Sequence, residues 1–223
     1  MKESGYFRKL EDNYRGDPYD GKQPVTPTSN DYILIGDPKS PMGQIRIDAP
    51  QIIKMEFGFQ GDDKIPLFCC SLLSEEIVAR KGKREFSLKP GFISEMSKFG
   101  KYAMIFCLSE LAQGLLSYAN ANLLGLIARP VSYVDISKEY DGSSSAGMYS
   151  AFFKKDLKYQ GQNEWRALLS KPASPLVSPT PWAPLIGAGE DHLIATIPPF
   201  KQYGIVTISE LEKQVFKIEG DDT

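Results

Sequence analysis

Apolar positions along the chain fall in short runs separated by turn residues. Residues 32–35, 44–47, 52–57 and 65–73 are strand-like, and 44–48 alternates polar and apolar with period two, as a half-buried strand does. Residues 74–81 predict a short helix, with Ser74 as its cap and Glu75 and Glu76 in the first turn. A loop is expected around Pro90 and Gly91, then a strand over 102–108. The best helix pattern covers about 109–121: Ser109 caps it, and Leu111, Leu115 and Tyr118 recur at helical spacing. Strands are expected at 123–128 and 131–136, interrupted by Pro130, and again at 163–169. Residues 141–147 read as a serine- and glycine-rich loop, and five prolines between 171 and 184 as an extended connection. Strand-like runs at 192–197, 204–208 and 214–218 close the chain. The sum is an α+β protein with mostly antiparallel sheets and one main helix. At 223 residues it is expected to form a single domain over 1–223.

Composition narrows the classes. With 42% hydrophobic and 24% charged residues, the chain is ordinary globular material. A formal net charge of −2 gives no basic footprint for nucleic acid, and Arg80, Lys81, Lys83 and Arg84 read as a solvated loop. Three cysteines, two of them adjacent (Cys69 and Cys70), make a poor disulfide framework, and their apolar surroundings suggest inert thiols. No metal is expected, because no zinc-ligand spacing occurs. No apolar run has signal-peptide or membrane-span length, so a cytoplasmic protein is the expectation.

Chemistry concentrates in one place. If 163–169 is a strand, Gln162, Glu164 and Arg166 share one face, and Trp165, Ala167 and Leu169 share the other. The polar row then lines a cleft, where one carboxylate suits chemistry at an anomeric carbon, or lies on the surface as a Glu164–Arg166 pair worth little in water. Elsewhere the signals are poorer. His192 is the single histidine and reads as the start of a surface strand; neither GxGxxG nor GxxxxGK[ST] occurs.

The Gln162-Asn163-Glu164 run resembles the Gln-x-Glu element of NAD-dependent ADP-ribosyltransferases. The resemblance implies that Glu164 stabilises an oxocarbenium-like state at the nicotinamide ribose of NAD, and that Gln162 orients an acceptor. Cys69-Cys70-Ser71 is similar to the family's serine element, with Ser71 bracing the glutamate or touching NAD, although Leu72 and Leu73 replace its usual continuation. Arg15 or Arg8 would meet the NAD phosphates, and Tyr159 and Arg166 join the candidate cofactor contacts. A longer succession also resembles a group of uncharacterised bacterial proteins found near phage-defence or mobile-element genes. It comprises Tyr6-Phe7-Arg8, Arg15-Gly16-Asp17-Pro18-Tyr19-Asp20-Gly21, Phe68–Ser71, Pro130–Asp135 and Phe152–Arg166. That likeness raises the expectation of a further strand before Met1. Two other classes stay open: a non-catalytic interaction protein anchored by Tyr159, Trp165 and Arg166, and a hydrolase or nuclease with scattered acids. The acceptor or partner is not specified by the sequence.

Overall fold

The computed structural model describes residues 1–3, 21, 23–25, 32–35, 45–48, 55–57, 65–83, 85–135, 149–172, 182–184 and 195–217. The fold is α+β, with mostly antiparallel sheets. Its centre is a five-stranded sheet in the order Lys2–Glu3, Pro66–Ser71, Glu164–Pro172, Gly125–Pro130, with Trp182–Pro184 pairing the far end of Glu164–Pro172. Glu164–Pro172 is the middle strand. Residue Ser71 stands opposite Glu164, Cys69 opposite Arg166 and Leu67 opposite Leu168, and on the other side Arg129 faces Arg166 and Ile127 faces Leu168.

Both faces of this strand are covered. On one, Trp165 and Ala167 pack against Leu111 and Leu115 of the helix Leu108–Ala121, beside Phe68 and Cys70. Gly114 of that helix lets residues 195–200 lie close, since a β-carbon there would sit 3.0 Å from Ile197 Cβ. On the other, Leu168 and Leu67 meet Phe152 and Phe153 of the 3-10 turn Ser150–Phe153, with Tyr149 and Ile65. Gly21 belongs to that layer. Its φ of +74° suits glycine, and a β-carbon would lie 2.3 Å from the Phe152 ring.

A second cluster (Ile77, Leu88, Phe92, Ile93, Ile208, Leu211) joins the helices Pro90–Ser97 and Ile208–Leu211 to the hairpin Val78–Arg80/Glu85–Leu88 and to the inner face of the ribbon Tyr102–Phe106/Tyr203–Thr207. Phe216 of Phe216–Lys217, which pairs Glu85–Leu88, stacks on Phe86 at 5.3 Å. Two small antiparallel pairs, Gln23–Val25 with Met55–Phe57 and Tyr32–Ile35 with Ile45–Asp48, and one parallel pair, Ser132–Val134 with Lys154–Asp156, complete the strands described.

Several expectations need correction. Residues 74–81 form no helix: a single turn at 75–77 leads into the strand Val78–Arg80, and the Ser74 hydroxyl accepts from Asn163 rather than capping. The expected loop at Pro90 is a helix, because proline fits the first helical position, where no amide donor is needed. The cap of the main helix lies two residues earlier than expected, at Cys107 in place of Ser109. Residues 195–197 carry no strand; Pro198 and Pro199, which follow, have no amide to donate. Ile208, expected in a strand, opens a helix capped by the reciprocal Thr207–Glu210 box. Arg84, the loop at 141–147, residues 173–181 and His192 lie outside the described residues.

The long helix ends in a Schellman arrangement, with Leu124 N donating to Ala119 O (2.8 Å) and Leu123 N to Asn120 O (3.3 Å). Leu123 occupies the left-handed position usually given to glycine, at φ 54°, with its side chain 81% exposed. It pays a backbone penalty and gains no burial. Leu123→Gly is therefore expected to stabilise the protein by about 0.5–1 kcal/mol, read as a higher midpoint in urea with an unchanged slope.

Candidate functional site

The polar row of the central strand is interior. Glu164 and Arg166 are 7% and 1% exposed, as deeply placed as Trp165 on the opposite face, whereas Gln162, expected on the same strand face, instead ends a 3-10 helix before the strand and is 6% exposed. Neither a cleft edge nor a solvated surface row describes them. The cause is the segment 149–162, which lays the 3-10 turn Ser150–Phe153, the strand Lys154–Asp156 and the 3-10 helix Leu157–Gln162 across that face. The short strand is held by Ser132–Val134 in a parallel pair, Tyr133 opposite Lys155.

Burying charge without partners is costly, and here the partners converge. Arg166 Nε donates to Glu164 Oε1 at 2.7 Å and its Nη2 approaches Oε2 at 3.4 Å. Lys155 Nζ donates to Glu164 Oε2 at 2.9 Å and to Gln162 Oε1 at 2.7 Å, and lies 5.0 Å from the centre of the Tyr159 ring. Arg166 Nη1 donates to the Phe152 carbonyl at 2.6 Å, tying the strand to the covering turn. The Glu164 amide donates to the Tyr133 hydroxyl at 2.8 Å. Asn163, left-handed at φ 43°, ends the 3-10 helix and donates from its side chain to Leu72 O (2.7 Å) and Ser74 Oγ (2.8 Å), which fixes where the strand starts.

These contacts set the protonation states. Burial pushes the Glu164 carboxyl up, but the Arg166 and Lys155 charges and their hydrogen bonds outweigh it and bring the group down to about 2. Burial pushes the Tyr133 phenol up to about 12 and, with the nearby Glu164 charge, the Cys70 thiol up to about 11. At neutral pH Glu164 is an anion, while Tyr133 and Cys70 keep their protons.

Of the residues singled out by sequence, Gln162, Glu164, Arg166, Tyr159 and Ser71 come together. Ser71 is directly across the ladder from Glu164 and so on the same face. Its hydroxyl, however, donates to Met96 Sδ at 3.3 Å, on the helix Pro90–Ser97. Tyr159 is buried under the Lys155 and Lys158 ammonium groups. Arg15 and Arg8 lie outside the described residues. As it stands the carboxylate offers no cradle to NAD, since each oxygen already accepts from a cationic side chain. A groove of about 290 Å³ is lined by Leu73, Val78, Arg80, Lys83, Glu85 and Phe86, none of them candidate residues. Lys155, Tyr133 and Met96 were not legible as members of the cluster.

Comparison with protein-family models, curated proteins and solved structures finds no match to this chain. Among the described residues no three histidine, cysteine or acidic side chains gather as a metal site would need, and no helix is long and apolar enough to cross a membrane.

Removing the carboxylate would strand two buried cations. Glu164→Gln is expected to cost about 3–5 kcal/mol in chemical denaturation. Because folding lowers the Glu164 pKa from the usual 4.5 to about 2, its contribution is complete above pH 4.5 and lost as pH falls toward 2. The wild-type stability should decline through that window, with a shallower decline in the variant.

Proposed function

We propose that this chain is a non-catalytic binding module, in which the Lys155–Glu164–Arg166 cluster locks the fold and the outer face of the ribbon Tyr102–Phe106/Tyr203–Thr207 is the docking surface. The observation that carries the reading is the composition of that face. Tyr102 is 66% exposed, Met104 47%, Tyr203 63% and Ile205 68%. Met104 pairs directly with Ile205, so the four form one continuous apolar row. The inner residues Ala103, Ile105 and Val206 are packed against the second core cluster, so the ribbon is anchored and its outer side is free. Contiguous apolar surface of this kind marks interaction sites, and tyrosine and methionine are typical of them. The likeness to bacterial proteins near defence or mobile-element genes supplies a setting in which such a module acts.

One observation favours an NAD-dependent ADP-ribosyltransferase instead. Ser71 and Glu164 share a face and a register position, and Gln162 reaches Glu164 through the Lys155 ammonium. In that reading the covering segment 149–162 must move before Glu164 meets a ribose, and the acceptor is undefined.

Two measurements separate these. The purified chain should neither consume NAD nor bind it in calorimetry; turnover that disappears in folded Ser71→Ala or Gln162→Ala protein would install the transferase reading. Ile205→Asp should change stability by less than about 0.5 kcal/mol, as for an exposed position. A larger loss would mean that the ribbon face is covered within the fold, which defeats the docking surface.

A further inference from the structure

We propose that the free edge of the central sheet, Gly125–Pro130, takes up an extended acidic peptide segment as an added strand, at a site distinct from the ribbon. Among the described residues this strand has Glu164–Pro172 as its one neighbour in the sheet. Val131 N donates to Glu164 O at 2.9 Å, directly across the ladder. Beyond the middle strand, Leu72 N donates to Asn163 O at 2.8 Å. Both bonds fix the same alternation. Gly125, Ile127 and Arg129 turn their backbone groups toward the middle strand, and Leu126, Ala128 and Pro130 turn theirs outward. Proline falls in the outward set, so its missing amide takes no bond from the sheet. Among the described residues no hydrogen bond uses the amides of Leu126 and Ala128 or the carbonyls of Leu126, Ala128 and Pro130. Ala128, Arg129 and Pro130 are exposed and Leu126 is half-buried. Donors and acceptors in this order are what the main chain of another strand complements.

Side chains at the edge say which strand fits. The Arg129 guanidinium lies 4.6 Å from the centre of the Phe153 ring, which holds it at the edge, and it makes no ion pair among the described residues. Burial and, second, the nearby Arg129 charge lower the proton affinity of Lys154, so a second cation adjoins the same place. A residue opposite Arg129 in an added strand stands in a non-hydrogen-bonded pair, the closer kind, where an acid neutralises the guanidinium. Leu123, two residues before the strand, is 81% exposed in a left-handed conformation, and an apolar side chain of the incoming segment covers it. A second copy fits worse. Residues 123–130 carry no acid, so no two-fold pairing of this edge with itself gives Arg129 a carboxylate. Charge and proline at an edge also discourage self-pairing. The occupant is therefore a partner segment, antiparallel like its neighbours, with an acid opposite Arg129 and an apolar residue toward Leu123.

The test is fluorescence anisotropy of a labelled, end-blocked peptide of about ten residues with the full chain. Threonine and valine alternate in it around one central glutamate. Saturable binding is expected. Methylating the peptide nitrogens on both sides of the glutamate, which face the edge, should weaken it about tenfold, whereas methylating the glutamate nitrogen, which faces away, should not. Ala128→Pro should weaken it by a similar factor while leaving the pairing to the middle strand intact, and circular dichroism checks its fold. Arg129→Glu should reverse the preference toward the same peptide with lysine in place of glutamate. Ile205→Asp, on the ribbon, should change nothing. Absence of binding, or binding indifferent to which nitrogens are methylated, overturns the proposal, and these arms need no variant to fold. Binding lost in Ile205→Asp places the peptide on the ribbon and overturns the edge. A chain that is dimeric in sedimentation and monomeric as Ala128→Pro has a second copy on the edge, which overturns the acidic partner.

Discussion

The Glu164 carboxylate holds the centre of this molecule together through charge. It sits on the middle strand of the main sheet, and the two cations that neutralise it come from different places: Arg166 from the same strand and Lys155 from the segment laid over it. A sheet face with charged residues normally looks to water. Here Arg166 reaches the Phe152 carbonyl and Lys155 reaches the Glu164 carboxylate, so the covering segment is bonded to the sheet at two points. The apolar contacts of Phe152 and Phe153 with Leu67 and Leu168 form beside the charged cluster, on the same face. Replacing such a network with well-packed apolar side chains can be neutral for stability, so its value here lies in fixing one arrangement of segment on sheet.

The distribution of polar and apolar groups is thus inverted at the two most informative places. The residues that look chemical are inside, engaged with each other. An aromatic and aliphatic row lies outside, on a ribbon whose inner side is packed in the core. An acid with a strongly lowered proton affinity often marks a catalytic group, but structural ion-pair networks produce the same effect. Both Glu164 oxygens being occupied gives the structural explanation the greater weight, and the ribbon then becomes the place to look for function.

Local signals made much of the fold legible. Residues 32–35 and the main helix near 109–121 could be located from the sequence pattern, and the alternation of Glu164 and Arg166 against Trp165, Ala167 and Leu169 gave the correct faces of the middle strand, although Gln162 ends the preceding 3-10 helix and is not on the strand. What alternation could not say is what covers each face. Two polar residues in a row suggest solvent unless a distant segment supplies counter-charges, and Lys155 lies in a Phe-Phe-Lys-Lys-Asp stretch where either lysine could point inward. Breaker residues misled in the same way: Pro90 and Gly91 read as a loop but start a helix, and Ser74 and its acids read as a helix start but close one turn before a strand. The exposed row was missed because Tyr102, Met104 and Ile205 look like core residues until the pairing of 102–106 with 203–207 assigns them a side.

The middle strand also constrains how the chain reaches this state. Asn163 bonds Leu72 from 91 positions away, so pairing with Pro66–Ser71 closes a very long loop, whereas Gly125–Pro130 lies less than half as far along the chain. Loop closure of that size slows assembly, and contacts of such separation dominate the folding time of small proteins. The antiparallel partner at 125–130 is the cheaper one to meet first. Until Pro66–Ser71 arrives, one edge of Glu164–Pro172 stays unpaired while its charged side chains await their cover. A nascent chain therefore passes through a stage in which its central strand is an open template, and the speed of the last pairing sets how long neighbouring molecules can compete for it.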